Sequence, residues 1–263
     1  MYDVCLTLSN FEIMNNAFDA LNNYFDKIFV LTLERSADRQ THINKSLIGL
    51  NYKFFFGADK NYFSLEELKE KNIYNEHLAV EHHRYSKPMN AGQIGCALSH
   101  KNIYEEIINN GYQKTLILED DVEPAQGSIK LFAEIIKDLP GDWELLYFDY
   151  SKNEDPKHLK KYWYHLQKIA GGIKWDHTII NNLYPKQISK HVSSAGFHDY
   201  TDAYAVTLPG AKKLLELQSP VSYIADNLLA IASASKKVKA YISHPKLFQQ
   251  LSQGETSTFD SLL

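Results

Sequence analysis

Thr115-Leu116-Ile117-Leu118-Glu119-Asp120-Asp121-Val122 is the stretch from which the rest of the chain is read. A run of strand-prone apolar residues passes straight into three acids. A continuous apolar run of this length is how a strand buried on both faces of an α/β sheet looks in sequence. Such sheets hold their ligands at the carboxyl ends of their strands. Three adjacent carboxylates repel one another, and a hard divalent cation, Mn²⁺ or Mg²⁺, offsets that repulsion because it favours oxygen ligands. The plainer alternative is a strand end running into a solvated acidic turn, and the flanking sequence decides between the two.

On the amino-terminal side, Lys27-Ile28-Phe29-Val30-Leu31-Thr32-Leu33 reads as a strand. Ser36 stands as the N-cap of a following helix, with Ala37, Ile43, Leu47 and Ile48 on its apolar side. Arg35 and Arg39 at that helix start suit a nucleotide phosphate, although solvated or ion-paired arginines fit the same spacing. Tyr52 to Phe56 reads as a second strand, closed by Gly57-Ala58-Asp59, where Asp59 contacts a ribose or base or caps the turn. Ser64-Leu65-Glu66-Glu67 is a capping-box pattern. Residues 77–89 lack a period and read as a loop, with His82 and His83 as ordinary polar residues.

Asn90 to His100 crowds small residues at the start of a helix that runs to Asn110-Gly111. Gly92 and Gly95 permit a close backbone approach, to a ligand or to a packed element. Ser99 and His100 are candidates for contacting a phosphate or donor sugar. Beyond the acidic stretch, residues 128–139 read as an amphipathic helix and Glu144 to Asp149 as a buried strand ending in an acid. Asp202 to Leu208, an apolar helix opened by Pro209, a loop into a second apolar helix from Ser219, and Lys237 to Ser243 continue the alternation. The tail from Leu247 to Phe259 reads as polar and irregular. Alternating strands and helices predict one α/β domain over residues 1–263 with a mainly parallel central sheet flanked by helices. Residues 151–200 break the rhythm. Their basic-aromatic stretch Lys157 to His165 suits an acidic acceptor, a membrane surface, or a solvated element with its aromatics tucked in. The region is assigned to an acceptor-side insertion.

The chain of 263 residues carries a net charge of −4, which gives no reason to expect nucleic acid as a partner. Cys5 and Cys96 form no disulfide framework and no CxxC pair, which predicts a reduced, cytoplasmic setting. Met1 to Thr7 lacks a basic start followed by an apolar stretch, so a secretion signal is not expected, and no run reaches a membrane span.

Taken in order, these pieces resemble family 25 of the glycosyltransferases, which includes lipooligosaccharide and collagen galactosyltransferases. The resemblance rests on Phe29 to Arg39, Gly95-Cys96-Ala97-Leu98-Ser99-His100, Leu116 to Val122, Ala203-Tyr204 with Gly210 to Leu215, and Pro220, Asp226, His244-Pro245 and Phe248-Gln249. It implies a GT-A type, Rossmann-like fold, a UDP-sugar donor (galactose by family), a divalent metal, and inversion at the anomeric carbon. The Asp-x-Asp metal motif of GT-A enzymes is replaced here by Glu119-Asp120-Asp121, and Tyr223 stands where many relatives have a more polar residue.

On this reading Glu119, Asp121 and His244 are the expected metal ligands. Arg35, Arg39, Asp59, Gly95, Ser99, His100 and Asp120 are expected to bind substrate. Asp226 is the expected base, with Asp202 and Asp149 as rivals. The partners expected are the UDP-sugar and an oligosaccharide or lipid-linked glycan acceptor, such as lipooligosaccharide, with peripheral contact at the inner membrane face. A metal-dependent nucleotidyltransferase would also use clustered acids, but no Gly-rich loop ending in Lys-Ser or Lys-Thr is present. A non-catalytic carbohydrate-binding module on the same fold would not need the acids.

Overall fold

The computed structural model describes residues 18–251, except Tyr85, Gln126 and the side chain of His158. Residues 1–17, with Cys5, and the tail beyond Leu251 lie outside the described residues. Helix α1 (18–24) leads into strand β1 (Lys27–Thr32), helix α2 (Ala37–Ser46) and strand β2 (Lys53–Phe56). Helices α3 (Leu65–Glu70), α4 (Glu76–His82) and α5 (Ala91–Asn110) follow, then β3 (Lys114–Glu119) and β4 (Val122–Pro124). A 3₁₀ turn at Ile129–Leu131 opens α6 (Phe132–Asp138), and β5 (Leu145–Tyr147) comes next. The region predicted to be an insertion folds as α7 (His158–Ile169), α8 (His177–Asn181), β6 (Lys186–Gln187) and β7 (Val192–Ser194). The chain closes with β8 (Ala203–Thr207), α9 (Leu208–Leu217), α10 (Ala225–Ala234), β9 (Ala240–Ser243) and β10 (Phe248–Gln250).

Eight strands form one sheet in the order β2-β1-β3-β8-β5-β9-β7-β6, and β4 and β10 form a second, two-stranded sheet. In the large sheet only β8 and β7 run against the common direction, so it is mainly parallel in strand sense and mixed in pairing. The α/β class expected from the alternating pattern is therefore found.

Strand residues alternate between two cores, as the period of two requires. Ile28, Val30, Leu116 and Leu118 pack with Phe18, Ile43 and Phe132 from α1, α2 and α6 on one face. Phe29, Leu31 and Ile117 pack with Ile103, Leu214 and Leu228 from α5, α9 and α10 on the other. Burial on both faces is why these strands read as unbroken apolar runs.

Three expectations change. The stretch 77–89, read as a loop, contains α4. Asn75 caps that helix by accepting the Leu78 N–H at 3.0 Å, and it buries only Ala79, too little to leave a periodic pattern. The tail is not wholly irregular: Phe248 is fully buried, and Phe248, Gln249 and Gln250 pair antiparallel with Pro124, Glu123 and Val122. Residues 151–200 are more than a loop insertion, because β7 pairs with β9 and β6 with β7, which extends the main sheet.

Candidate active site

Register assembles the site. Leu31 of β1 lies beside Glu119 of parallel β3, so Thr32 and Asp120 emerge next to each other at the carboxyl end. Strand β8 is antiparallel to β3 and pairs Ala203 with Leu118, which brings the residues entering β8, Thr201 and Asp202, to the same end. The Glu119 N–H donates to the Asp202 carbonyl at 2.8 Å. Three segments distant in sequence thus deliver acids or their partners to one end of the sheet.

Each of the three adjacent acids has a different environment. Asp120 accepts from Thr32 Oγ1 at 2.6 Å and from Arg39 Nη1 at 2.8 Å. Burial pushes its carboxyl up, and these two donors work against that push. Glu119 accepts from Thr201 Oγ1 and lies 3.3 Å from His100 Nε2. Burial would raise the Glu119 carboxyl, but the hydrogen bond and charge of His100 lead the groups that outweigh it and hold it below its ordinary value. Asp121 has weaker support, with Arg39 at 3.8 Å and Gln250 Nε2 at 3.2 Å. Burial, then the charge of Glu119, lifts it to about 6. Asp202 is raised well above the usual range by burial, then by Glu119 and Asp121.

Carboxylate oxygens of Glu119, Asp121 and Asp202 lie within 4.8 Å of one another. Asp121 Oδ1 and Asp202 Oδ2 are buried without a hydrogen-bond partner among the described residues. Orphaned, mutually repelling oxygens in an all-oxygen donor set suit a hard divalent cation. Cys96, His100 and Glu119 form a second grouping. Hydrogen bonding accounts for His100, whose Nδ1 meets Tyr204 Oη at 2.8 Å while Nε2 faces Glu119. Burial pushes the Cys96 thiol well up in the metal-free protein, and a soft sulfur ligand suits a hard divalent cation less well than the all-oxygen group does.

Beside the acids opens a cleft of about 610 Å³. Arg35, Arg39, Asp59, Gly95, Ser99 and Asp120 all line it. Glu119 and Lys60 also line it. Arg35 Nε pairs with Asp59 at 2.5 Å. Ser99 is largely committed to structure: its hydroxyl donates to the Gly95 carbonyl at 2.7 Å and accepts the Ala58 N–H at 2.8 Å. A Cβ on Gly95 would stand 2.7 Å from the Ala58 carbonyl oxygen. The small residues of the Ser-His block therefore let α5 press against the turn that carries Asp59. Helix α5 opens on a true capping box, Asn90 with Gln93, which the sequence reading passed over.

Two predicted residues lie elsewhere. His100 is 1% exposed and sits beneath the cleft, steadying Glu119 without lining the cleft. His244 is not brought into the carboxylate group: its Nδ1 meets Tyr150 Oη and its Nε2 meets Ser193 Oγ, each at 3.0 Å. Asp226 opens α10, where burial and then the charge of Asp199 push its carboxyl up to about 6. Its charge is felt at Cys96, as are those of Glu119, Asp121 and Asp202, but Asp226 neither lines the cleft nor joins the carboxylate group. Thr32, Thr201 and Gln250, which hold the acids, were not singled out from sequence. A polar residue directly flanking a buried strand was the available signal for the two threonines.

A family model described as glycosyltransferase family 25 (LPS biosynthesis protein) matches residues 25–229. The chain belongs to that family. Among its relatives, a glycosyltransferase 25 family member of Anopheles gambiae is 28% identical over 82% of this chain and 33% of its own length. Procollagen galactosyltransferase 2 of Mus musculus is 27% identical over 73% of this chain and 27% of its own. The inactive glycosyltransferase 25 family member 3 of Homo sapiens is 26% identical over 74% and 29%. The chain thus spans about a third of the length of these relatives. Mouse xyloside xylosyltransferase 1 superposes with a TM-score of 0.36 and 12% identity over 81% of this chain and 62% of that one.

Proposed function

We propose that the chain transfers a hexose, galactose by family, from a UDP-sugar to a glycan hydroxyl with inversion, at a divalent metal held by Glu119, Asp121 and Asp202. The reading is carried by one observation: three carboxylates with oxygens within 4.8 Å, two of those oxygens orphaned, stand beside a cleft edged with arginine and lysine. A nucleoside diphosphate-sugar needs both features, because its leaving group carries charge that must be met in the transition state. A bound Mn²⁺ or Mg²⁺ would supply a Lewis acid for that leaving diphosphate. Arg35 and Arg39 add fixed positive charge along the cleft, and a nucleoside contact for Asp59 is supported by its place in the same lining. In an inverting step the acceptor oxygen forms the new bond at the anomeric carbon while the bond to the diphosphate breaks. The hydroxyl proton passes to a carboxylate, for which Asp226 is the choice: raised to about 6, it is still ionised at neutral pH and basic enough to take a proton.

Asp202, weighed as a rival base from sequence, is assigned to the metal by its position beside Glu119 and Asp121. The acceptor is a glycan, lipooligosaccharide-type or lipid-linked, reached from the cytoplasmic side of a membrane. A carbohydrate-binding module without turnover is the competing reading, since one relative's name calls it inactive. The intact acid cluster favours transfer.

The test is release of UDP from UDP-galactose, UDP-glucose and UDP-N-acetylhexosamines, with and without Mn²⁺, for the wild type and Asp121→Asn. Turnover that needs the metal and is lost in the folded variant supports the assignment. Undiminished turnover by Asp121→Asn would overturn it.

A further inference from the structure

Helix α7 is built inside out. A surface helix ordinarily turns its apolar stripe to the core and its charges to water. Here Leu159, Tyr162, Trp163, Leu166 and Ile169 fall at helical spacing on one side, and that side faces outward. Leu159 is 85% exposed, Ile169 78% and Trp163 58%. The half-buried side carries polar groups instead: Lys160 donates to Asn153 Oδ1 at 2.7 Å, Lys161 to the Asn181 carbonyl at 2.7 Å, and His165 stacks on His177. Tyr164 fastens the helix by an edge-on contact with Trp175 at 5.4 Å. The outward apolar stripe has no partner among the described residues, and patches of this kind mark contact surfaces.

Charge selects the occupant. From residue 151 to 200 the chain has eight lysines and four acids, in a protein whose net charge is −4; of the acids, Glu154 pairs with Lys246 and Asp199 with Lys152. Asp176 is occupied as the cap of α8, accepting the Ile179 N–H at 2.8 Å. Lys161 feels Lys186, and Lys160 feels Arg84, Lys157 and Lys152, so positive charge converges around the helix. A second copy of the chain would set these lysines against one another. Tryptophan and tyrosine interleaved with leucine, isoleucine and flanking lysines is the composition of a helix lying in a bilayer interface. No described helix is long and apolar enough to cross a membrane, so contact would be parallel to its surface.

We propose that the outward face of α7 docks the protein on an anionic lipid surface. The proposal stands without the transfer reading. It gains a consequence from it: Lys160 joins α7 to Asn153, and the adjacent Lys152 pairs with Asp199, whose charge acts on Asp226. The helix that carries the docked face is thereby linked to a charge felt by the candidate base.

Trp143 and Trp175 are buried, so Trp163 is the tryptophan able to report contact. The intact chain is titrated with vesicles of phosphatidylcholine alone and of phosphatidylcholine with phosphatidylglycerol, reading tryptophan emission and co-sedimentation. A blue shift with the anionic vesicles, absent in Trp163→Phe, is expected. Leu159→Gln with Ile169→Gln should lower partition roughly tenfold, and Lys157→Gln with Lys168→Gln should lower the anionic preference by a similar factor. Circular dichroism checks that both doubles stay folded. Absence of shift and partition with either vesicle overturns the proposal. So does a dimer in sedimentation velocity that Leu159→Gln dissociates, which would make the face a self-association surface.

Discussion

The side-chain amide of Gln250 donates to Asp121 Oδ2 at 3.2 Å. The same nitrogen lies 3.3 Å from Asp202 Oδ1, so one neutral residue bridges two of the three grouped acids. Backbone geometry fixes it there, because β10 pairs Gln250 with Val122 and the Leu251 N–H closes on the Asp121 carbonyl at 2.8 Å. Gln250→Leu keeps the approximate volume and removes the donor to both acids. A hydrogen bond to a charged group contributes about 1.5–3 kcal/mol, so metal-dependent turnover should fall roughly tenfold to a hundredfold. UDP release measured against Mn²⁺ concentration checks this, and an unchanged metal dependence would remove Gln250 from the site.

Arg39 is the nearest positive charge to Asp120 and Asp121, at 2.8 and 3.8 Å. Arg39→Ala leaves Asp120 buried with the Thr32 hydroxyl as its remaining side-chain donor among the described residues. Removing one partner of a buried ion pair costs roughly 3–5 kcal/mol, because the other charge stays uncompensated. The urea midpoint should therefore drop clearly for Arg39→Ala. Arg39→Lys should recover part of that stability and little of the donor affinity, since it restores charge without the planar fork. Equal stability of wild type and Arg39→Ala would mean that Asp120 is held by other means.

The strand-to-acid transition at Leu118-Glu119 was legible because burial on both faces leaves an unbroken apolar run. So was the convergence of Arg35, Arg39 and Asp59 on one cleft, since all follow strand ends that a parallel sheet aligns. Asp202 could not be grouped with Glu119 from sequence. That grouping follows from β8 being inserted antiparallel beside β3, and strand order leaves no local trace in composition. Gln250 was lost in a tail that looks polar, although Phe248 two residues earlier is fully buried. For the stretch that forms helix α7, an acidic acceptor, a membrane surface and tucked-in aromatics all fit the sequence. Periodicity gives a helix its apolar stripe but not the direction in which the stripe points, and here it points away from the core.

Gly95 has no room for a side chain. A Cβ would meet the Ala58 carbonyl at 2.7 Å, a backbone atom that yields only if the turn moves. Gly95→Ala should cost about 1–3 kcal/mol by overpacking. It should also displace Asp59 and the Arg35 that pairs with it, so the KM for the donor rises more than kcat falls. Gly141→Ala, where nothing lies within 4 Å of the added methyl, is the control and should change neither. A KM unaffected by Gly95→Ala would separate Asp59 from donor binding.

Asp226 sets the expected pH response. Burial, then the charge of Asp199, raises its carboxyl to about 6, while Lys152 pulls it down. A base must be ionised to accept a proton, so kcat/KM should hold above pH 6 and fall about tenfold per unit below it. Removing Lys152 with Lys152→Met takes away a positive charge acting on Asp226 and frees Asp199, so the acidic limb should move to higher pH. Stability runs in the opposite sense. The folded state binds the Asp226 proton more tightly than the unfolded chain does, so this group favours folding most in acid, and that contribution disappears as pH rises through 6. Asp226→Asn should therefore unfold at a higher urea concentration than wild type at pH 8, with the gain fading towards pH 4, while transfer is lost at every pH. Full transfer by Asp226→Asn, or an acidic limb that stays put in Lys152→Met, would assign the base to another residue, for which Asp149, just past β5 and also raised by burial, is the rival named from sequence.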